Sequence, residues 1–135
     1  MKGEGSKVKG EKCLLLHDSL CIFEKIKYRM SLQNKFLHHV YFWLQDAGSE
    51  QYKQELIEGL KKLSKVSTIK DYHIGQPAGT NRDVIETSYS VSWLLLFENA
   101  ADQDSYQTDP IHLKFVEECK HLWNKVVVYD SISTF

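Results

Sequence analysis

Residues 36–44 read Phe-Leu-His-His-Val-Tyr-Phe-Trp-Leu, an uninterrupted run with no glycine, proline, acid, lysine or arginine. Its β-branched and aromatic content predicts a β-strand. Successive strand side chains project to opposite faces, so Val40, Phe42 and Leu44 form one set and His39, Tyr41 and Trp43 the other. Both sets are too apolar to leave in water as a contiguous patch, and the strand therefore needs cover on both sides.

The rest of the chain supplies cover for one side. Asp46-Ala-Gly48 predicts a turn, Ser49 is placed to cap a helix, and Tyr52, Leu56, Leu60 and Leu63 recur at helical spacing to about Lys65. A second strand is expected over Ile69–Gly75, closed by the glycine and the Pro77-Ala-Gly79 loop. After a polar stretch, the Ser88–Phe97 segment alternates, which places Tyr89, Val91, Trp93, Leu95 and Phe97 on one face. Asn99 is expected to cap a short helical turn through Tyr106. Pro110 suits the first turn of a longer helix reaching about Asn124, and Val126–Ile132 reads as a last strand. The order β-α-β-β-α-β is the α+β, ferredoxin-like arrangement: a four-stranded antiparallel sheet with both helices on one face. Its other face stays bare, and the simplest cover is a second copy, so a homodimer is expected.

Composition narrows the function. A length of 135 residues suits one main domain, and 17 basic against 18 acidic side chains spread along the chain leave no basic face for nucleic acid. Cys13, Cys21 and Cys119 are an odd number without C-x-x-C spacing, which argues against a disulfide framework or a metal site and fits a reducing, cytoplasmic setting. The apolar run from Cys13 to Phe23 is broken by His17, Asp18 and Ser19 and is too short for a membrane helix, so it reads as neither signal nor anchor. Residues 1–31 are expected to be an unstructured extension, with Met30 an alternative natural start, and 32–135 to be the domain.

His39-Val-Tyr-Phe-Trp-Leu, His73-Ile-Gly75, Arg82-Asp83, Tyr106-Gln-Thr-Asp-Pro-Ile-His112 and Val126-Val-Val-Tyr-Asp130 together resemble the stress-responsive dimeric α/β-barrel family, the Tyr-x-x-x-Pro-x-His spacing being the most specific element. The resemblance implies two ferredoxin-like protomers packed sheet to sheet. A plant polyketide cyclase of that family closes its substrate by an aldol step. By this resemblance its active tyrosine and histidine correspond to Tyr106 and His112, and a further pocket histidine to His39. The chain departs from the family's usual His-Pro-x-His in reading Asp109-Pro-Ile-His112, and Gly59 stands near the place of an aromatic pocket residue.

His112 is the expected general base, because imidazole titrates nearest neutrality, and Tyr106 the acid that orients a carbonyl oxygen. The bland alternatives are a histidine that stiffens the helix start and a core tyrosine. The match assigns His39 to the helix-covered face with Tyr41 and Trp43, where they and Tyr72, Trp93 and Trp123 either line a ligand pocket or fill the core. His38, its neighbour, would then face away. Cys119, two helical turns beyond His112, is expected to be a buried small hydrophobe, and Arg82-Asp83 a solvated loop pair or an ordering element at the pocket mouth. The leading expectation is a small-molecule-binding protein, with a cofactor-independent lyase or cyclase acting on a carbonyl compound as its catalytic form. The rival is a non-catalytic stress or interaction protein with a packed core. A third reading is a cofactor-free monooxygenase-like or haem-binding barrel, which no residue selects.

Overall fold

In the computed structural model, which describes residues 31–135, the central strand is β1 (Phe36–Leu44), hydrogen-bonded on both sides. Helix α1 (Glu50–Leu63), strands β2 (Ile69–Gly75) and β3 (Val91–Phe97), helices α2 (Ala100–Thr108) and α3 (Pro110–Cys119) and strand β4 (Trp123–Ile132) follow. The sheet order is β2-β3-β1-β4 with every pair antiparallel, the ferredoxin-like topology expected from the sequence. Leu32–Phe135 forms one compact unit. The expectations for the first 30 residues lie outside the described residues.

The local signals act as anticipated. Ser49 Oγ accepts from Tyr52 N at 3.1 Å, Asn99 Oδ1 from Asp102 N at 2.9 Å, and Pro110 opens α3, so one orphan amide at each helix start finds a partner or is absent. Several boundaries differ: β3 begins at Val91 rather than Ser88, and β4 at Trp123 rather than Val126. α2 is a full nine-residue helix rather than one turn. α3 stops at Cys119 rather than near Asn124, because a 3₁₀ turn at Lys120–Leu122 redirects the chain into β4, whose Trp123 packs on Phe42 and Phe115 with ring centroids 5.0 and 5.8 Å away.

The largest correction is the facing of β1. Val40, Phe42 and Leu44 lie beneath the helices at 6%, 3% and 3% exposure, in one core with Val91, Trp93, Leu95 and Phe97 of β3 and Leu56, Leu60 and Leu63 of α1. His38 shares that face. His39, Tyr41 and Trp43, assigned to the helix-covered side, lie on the open side. The physical reason is polarity: purely aliphatic and phenyl side chains fill the dry face, whereas Tyr41 O–H and Trp43 N–H meet His39 Nδ1 at 3.1 Å and Ser88 Oγ at 2.8 Å on the wetter one. Tyr89 also departs from its expected face. It packs on Tyr41 and Trp43, at 4.9 and 6.5 Å between ring centroids, although Val91 two residues on is under the helices.

Candidate functional site

The site forms where α2 turns into α3. Asp109 ends one helix and caps the next: extended at φ −61°, ψ 136°, as the residue before a proline prefers, it accepts from Ile111 N at 2.8 Å. This corner sets Tyr106, in the last turn of α2, against His112, in the first turn of α3, with ring centroids 4.6 Å apart. His38 approaches Tyr106 from the sheet below at 5.8 Å.

All three line a cavity of about 140 Å³ between sheet and helices, walled also by Trp93, Phe115 and Trp123. It has room for four or five waters, or a correspondingly small organic molecule. Val126 and Val128, on its β4 side, remain 40% and 43% exposed, so this wall is not sealed.

Each polar group has a defined state. His112 Nδ1 lies 3.0 Å from the Gln107 carbonyl, which can only accept, so Nδ1 carries the hydrogen and Nε2 the lone pair. Burial lowers the His112 pKa below its ordinary 6.5, only partly offset by the Gln107 carbonyl; His38 lowers it further and Asp109 raises it. The ring is thus a neutral base near neutral pH. Burial pushes the Tyr106 phenol up to about 12, against a small opposing effect of the Trp93 indole N–H that it accepts at 3.4 Å. Its own O–H remains to donate. His38 Nδ1 sits 2.5 Å from Asp130 Oδ1 across the β1–β4 pair, which fixes the ring and leaves Nε2 without the proton while the imidazole is neutral.

The expected site residues are therefore divided. Tyr106, His112, Trp93 and Trp123 come together at the cavity. Tyr72 leans on Trp93, with ring centroids 5.4 Å apart and planes tilted by 45°, and remains 45% exposed. His39, Tyr41 and Trp43 are on the opposite face. The histidine that does reach the cavity is His38, with Asp130 behind it, and sequence reasoning passed over both. The signal available was the alternation itself, since His38 is in phase with Val40, Phe42 and Leu44.

A larger groove of about 480 Å³ runs between α1 and α3, over Gly59, Phe115 and Cys119. Its ionisable groups are lysines, glutamates and Cys119, whose thiol burial pushes up, and no imidazole lines it. Among the described residues no helix is long and apolar enough to cross a membrane.

Residues 36–133 match the stress responsive A/B barrel domain. Comparison with the curated proteins gives no match. Among solved structures, a dimeric ferredoxin-like protein of unknown function from Bacteroides fragilis is 22% identical, with TM-score 0.57 over 74% of this chain and 97% of its own. A Dabb-family protein with a ferredoxin-like fold from Mesorhizobium loti is 18% identical, at TM-score 0.62 over 75% and 98%. A hydroxynitrile lyase from Passiflora edulis is 20% identical, at TM-score 0.60 over 73% and 92%.

Proposed function

The chain belongs to the stress responsive A/B barrel domain family, and from that premise we propose that it is a homodimeric small-molecule-binding protein whose helix-side cavity performs cofactor-independent lyase chemistry on a small hydroxy or carbonyl compound. The observation that carries the reading is the facing pair of Tyr106 and His112 in one cavity, the first held as a phenol and the second as a neutral base.

In the cleaving direction His112 Nε2 takes the hydroxyl proton of the substrate. The C–O bond gains double-bond character as the adjacent C–C bond breaks, and Tyr106 O–H steadies the oxygen as its charge changes. The departing carbanion, an enolate or cyanide, recovers the proton from the imidazolium, so the protein ends unchanged. His38, oriented by Asp130, forms the sheet-side wall. The small volume favours compact substrates over a long polyketide. A hydroxynitrile lyase of the same fold makes cyanohydrins the first class to try.

The homodimer rests on the open sheet face, where Leu37, His39, Tyr41 and Trp43 of β1 lie beside Leu94 and Leu96 of β3. A second copy covering such a face removes about 800 Å² per subunit, enough for a stable complex. The dimeric Bacteroides neighbour agrees with it.

The test is a screen of small cyanohydrins and β-hydroxy ketones for cleavage, with thermal shift as a parallel readout of binding. Turnover should fall by roughly 10²–10⁴ in His112→Asn and less steeply in Tyr106→Phe. Unchanged turnover in His112→Asn removes the base assignment. Absence of both turnover and thermal shift across the set supports the non-catalytic alternative instead.

A further inference from the structure

The face on which the proposed homodimer forms has an ionisable group at its middle. His39 lies near the centre of β1, an inner strand, and one register row crosses the whole open face through it: His73 on β2, Leu94 on β3, His39 on β1 and Tyr129 on β4. A second copy cannot cover this face without covering its middle. His39 is half-buried within one protomer, and the partner takes away its remaining water.

The surroundings suit a neutral ring and not a charged one. Leu94 and Tyr129 flank His39 directly, and the adjacent rows add Leu96 and Ser92 from β3 and Ser131 and Val127 from β4, so neither neighbouring strand brings a carboxylate to it. On its own strand Tyr41 lies beside the ring, with centroids 4.3 Å apart, and its hydroxyl meets Nδ1 at 3.1 Å. That hydroxyl can donate to a neutral ring or accept from a charged one. Burial holds the phenol above its ordinary range, so it supplies no counter-charge. The remaining charged or titratable groups on this side stand further off. Asp71 and His73 are on β2, about 10 Å away across β3, and Lys125 is two residue pairs along β4. Glu86 and Tyr89 lie at the Trp43 end, where Lys125 acts on the Glu86 carboxylate, and Lys35 is paired with Glu98 beyond the start of β1.

We propose that His39 makes the dimer acid-sensitive: the second copy docks on the neutral imidazole, and protonation of His39 drives the two copies apart. This rests on the homodimer reading and adds a condition to it. Within one protomer the ring is already held below its ordinary 6.5, by burial first and then by His73 and His38. Cover by a partner deepens the burial and moves the ring further the same way. The free protomer therefore binds the proton more readily than the dimer does, and acid favours separation. The effect is absent well above pH 6.5, grows below it as free protomers become charged, and levels off once the dimer is protonated as well. An isologous contact buries the ring of each copy, so the effect enters twice.

The test measures the dimer Kd of the full chain by sedimentation of a fluorescently labelled dilution series. The pH is stepped from 7.5 to the lowest value, near 5, at which the near-UV circular dichroism stays native. Subunit exchange between two labelled pools is the second readout, for a dimer that survives the lowest dilution. Kd, or the exchange rate, should rise by about tenfold or more over this range, and His39→Gln should hold the change within about threefold. A wild-type dimer equally tight at both ends of the range overturns the switch. So does one that tightens in acid, which would mean that a carboxylate of the second copy meets the ring. A His39→Gln dimer as acid-sensitive as wild type takes the role away from His39. A monomer already at pH 7.5 is a separate failure, that of the homodimer itself.

Discussion

The two faces of one sheet use their aromatic residues differently. Under the helices, Phe42, Trp93 and Phe97, at 3%, 1% and 0% exposure, share one core with aliphatic side chains, and His38, Tyr106 and His112 bring polar atoms to the cavity beside them. On the open face, Tyr41, Trp43 and Tyr89 are only half-buried, and the Tyr41 O–H and Trp43 N–H groups make hydrogen bonds to side chains. The first face is a finished core with a small reactive cavity. The second is a surface prepared for partners. Substitutions on the two faces should therefore fail in different ways.

Phe42→Asp gives the largest effect. It removes a ring in contact with Phe115 and Trp123 and places a carboxylate in the dry core, a loss of about 4 kcal/mol or more, enough to unfold many domains. Leu94→Asp, in the same register row as His39 and His73 on the open face, should leave the fold intact and yield monomer. Urea denaturation with light scattering separates the two. A folded Phe42→Asp monomer would reverse the faces described here, and a dimeric Leu94→Asp protein would end the sheet-to-sheet dimer.

Asp130→Ala should cost about 1–2 kcal/mol, since it strips the partner from a His38 nitrogen that is otherwise buried while water can still enter past the half-exposed Asp130. Asp130→Asn, which keeps an acceptor for Nδ1–H, should recover most of that stability. Equal losses in the two variants would mean that charge, rather than the hydrogen bond, holds the ring.

Gly59→Ala sits between opposing effects. A Cβ there would lie 2.6 Å from Cys119 Sγ and 3.2 Å from the Phe115 ring, so α1 and α3 must part slightly. Overpacking costs about 1–3 kcal/mol, whereas replacing a helical glycine by alanine returns about 1. A net loss of about 0–2 kcal/mol is expected. Adding Cys119→Ala should restore most of it, and a double variant no better than the single one would place the strain elsewhere.

The element order, both helix caps, the strands and the Tyr106–His112 meeting were legible because each rests on local chemistry: a capping oxygen, a proline at a helix start, an alternating run. The facing of β1 was not. When both phases of a strand are apolar, a one-residue shift exchanges the faces with little change in pattern, and the adjacent pair His38-His39 makes either phase plausible. His38 owes its place to Asp130 on a strand 92 positions away, a pairing that depends on the β1–β4 register. Likewise Tyr89 leaves its alternation to join Tyr41 and Trp43, a tertiary preference that its own segment does not encode.

The smallest expected effect is also the most direct probe of the cavity face. Burial holds the His112 pKa below 6.5 in the folded protein, so the unfolded chain takes the proton first as the pH falls. The contribution of neutral His112 to stability is therefore complete above pH 6.5, declines as the pH drops below it, and ceases to change once the folded protein is protonated as well. His39 on the open face is shifted in the same direction, by burial first and then by His73 and His38, so the whole-protein acid response mixes the two faces. Urea midpoints at pH 7.5 and 5.0 for wild type, His112→Gln and His39→Gln divide them. Wild type should lose the most stability on acidification, and each variant should lose less. If the proposed chemistry operates, the acid limb of kcat/KM should lie below 6.5, because the base stays neutral where an exposed histidine would already be protonated. An acid limb above 6.5, together with a His112→Gln protein as acid-sensitive as wild type, would mean that His112 meets bulk solvent and that the cavity does not hold the base in its dry, neutral state.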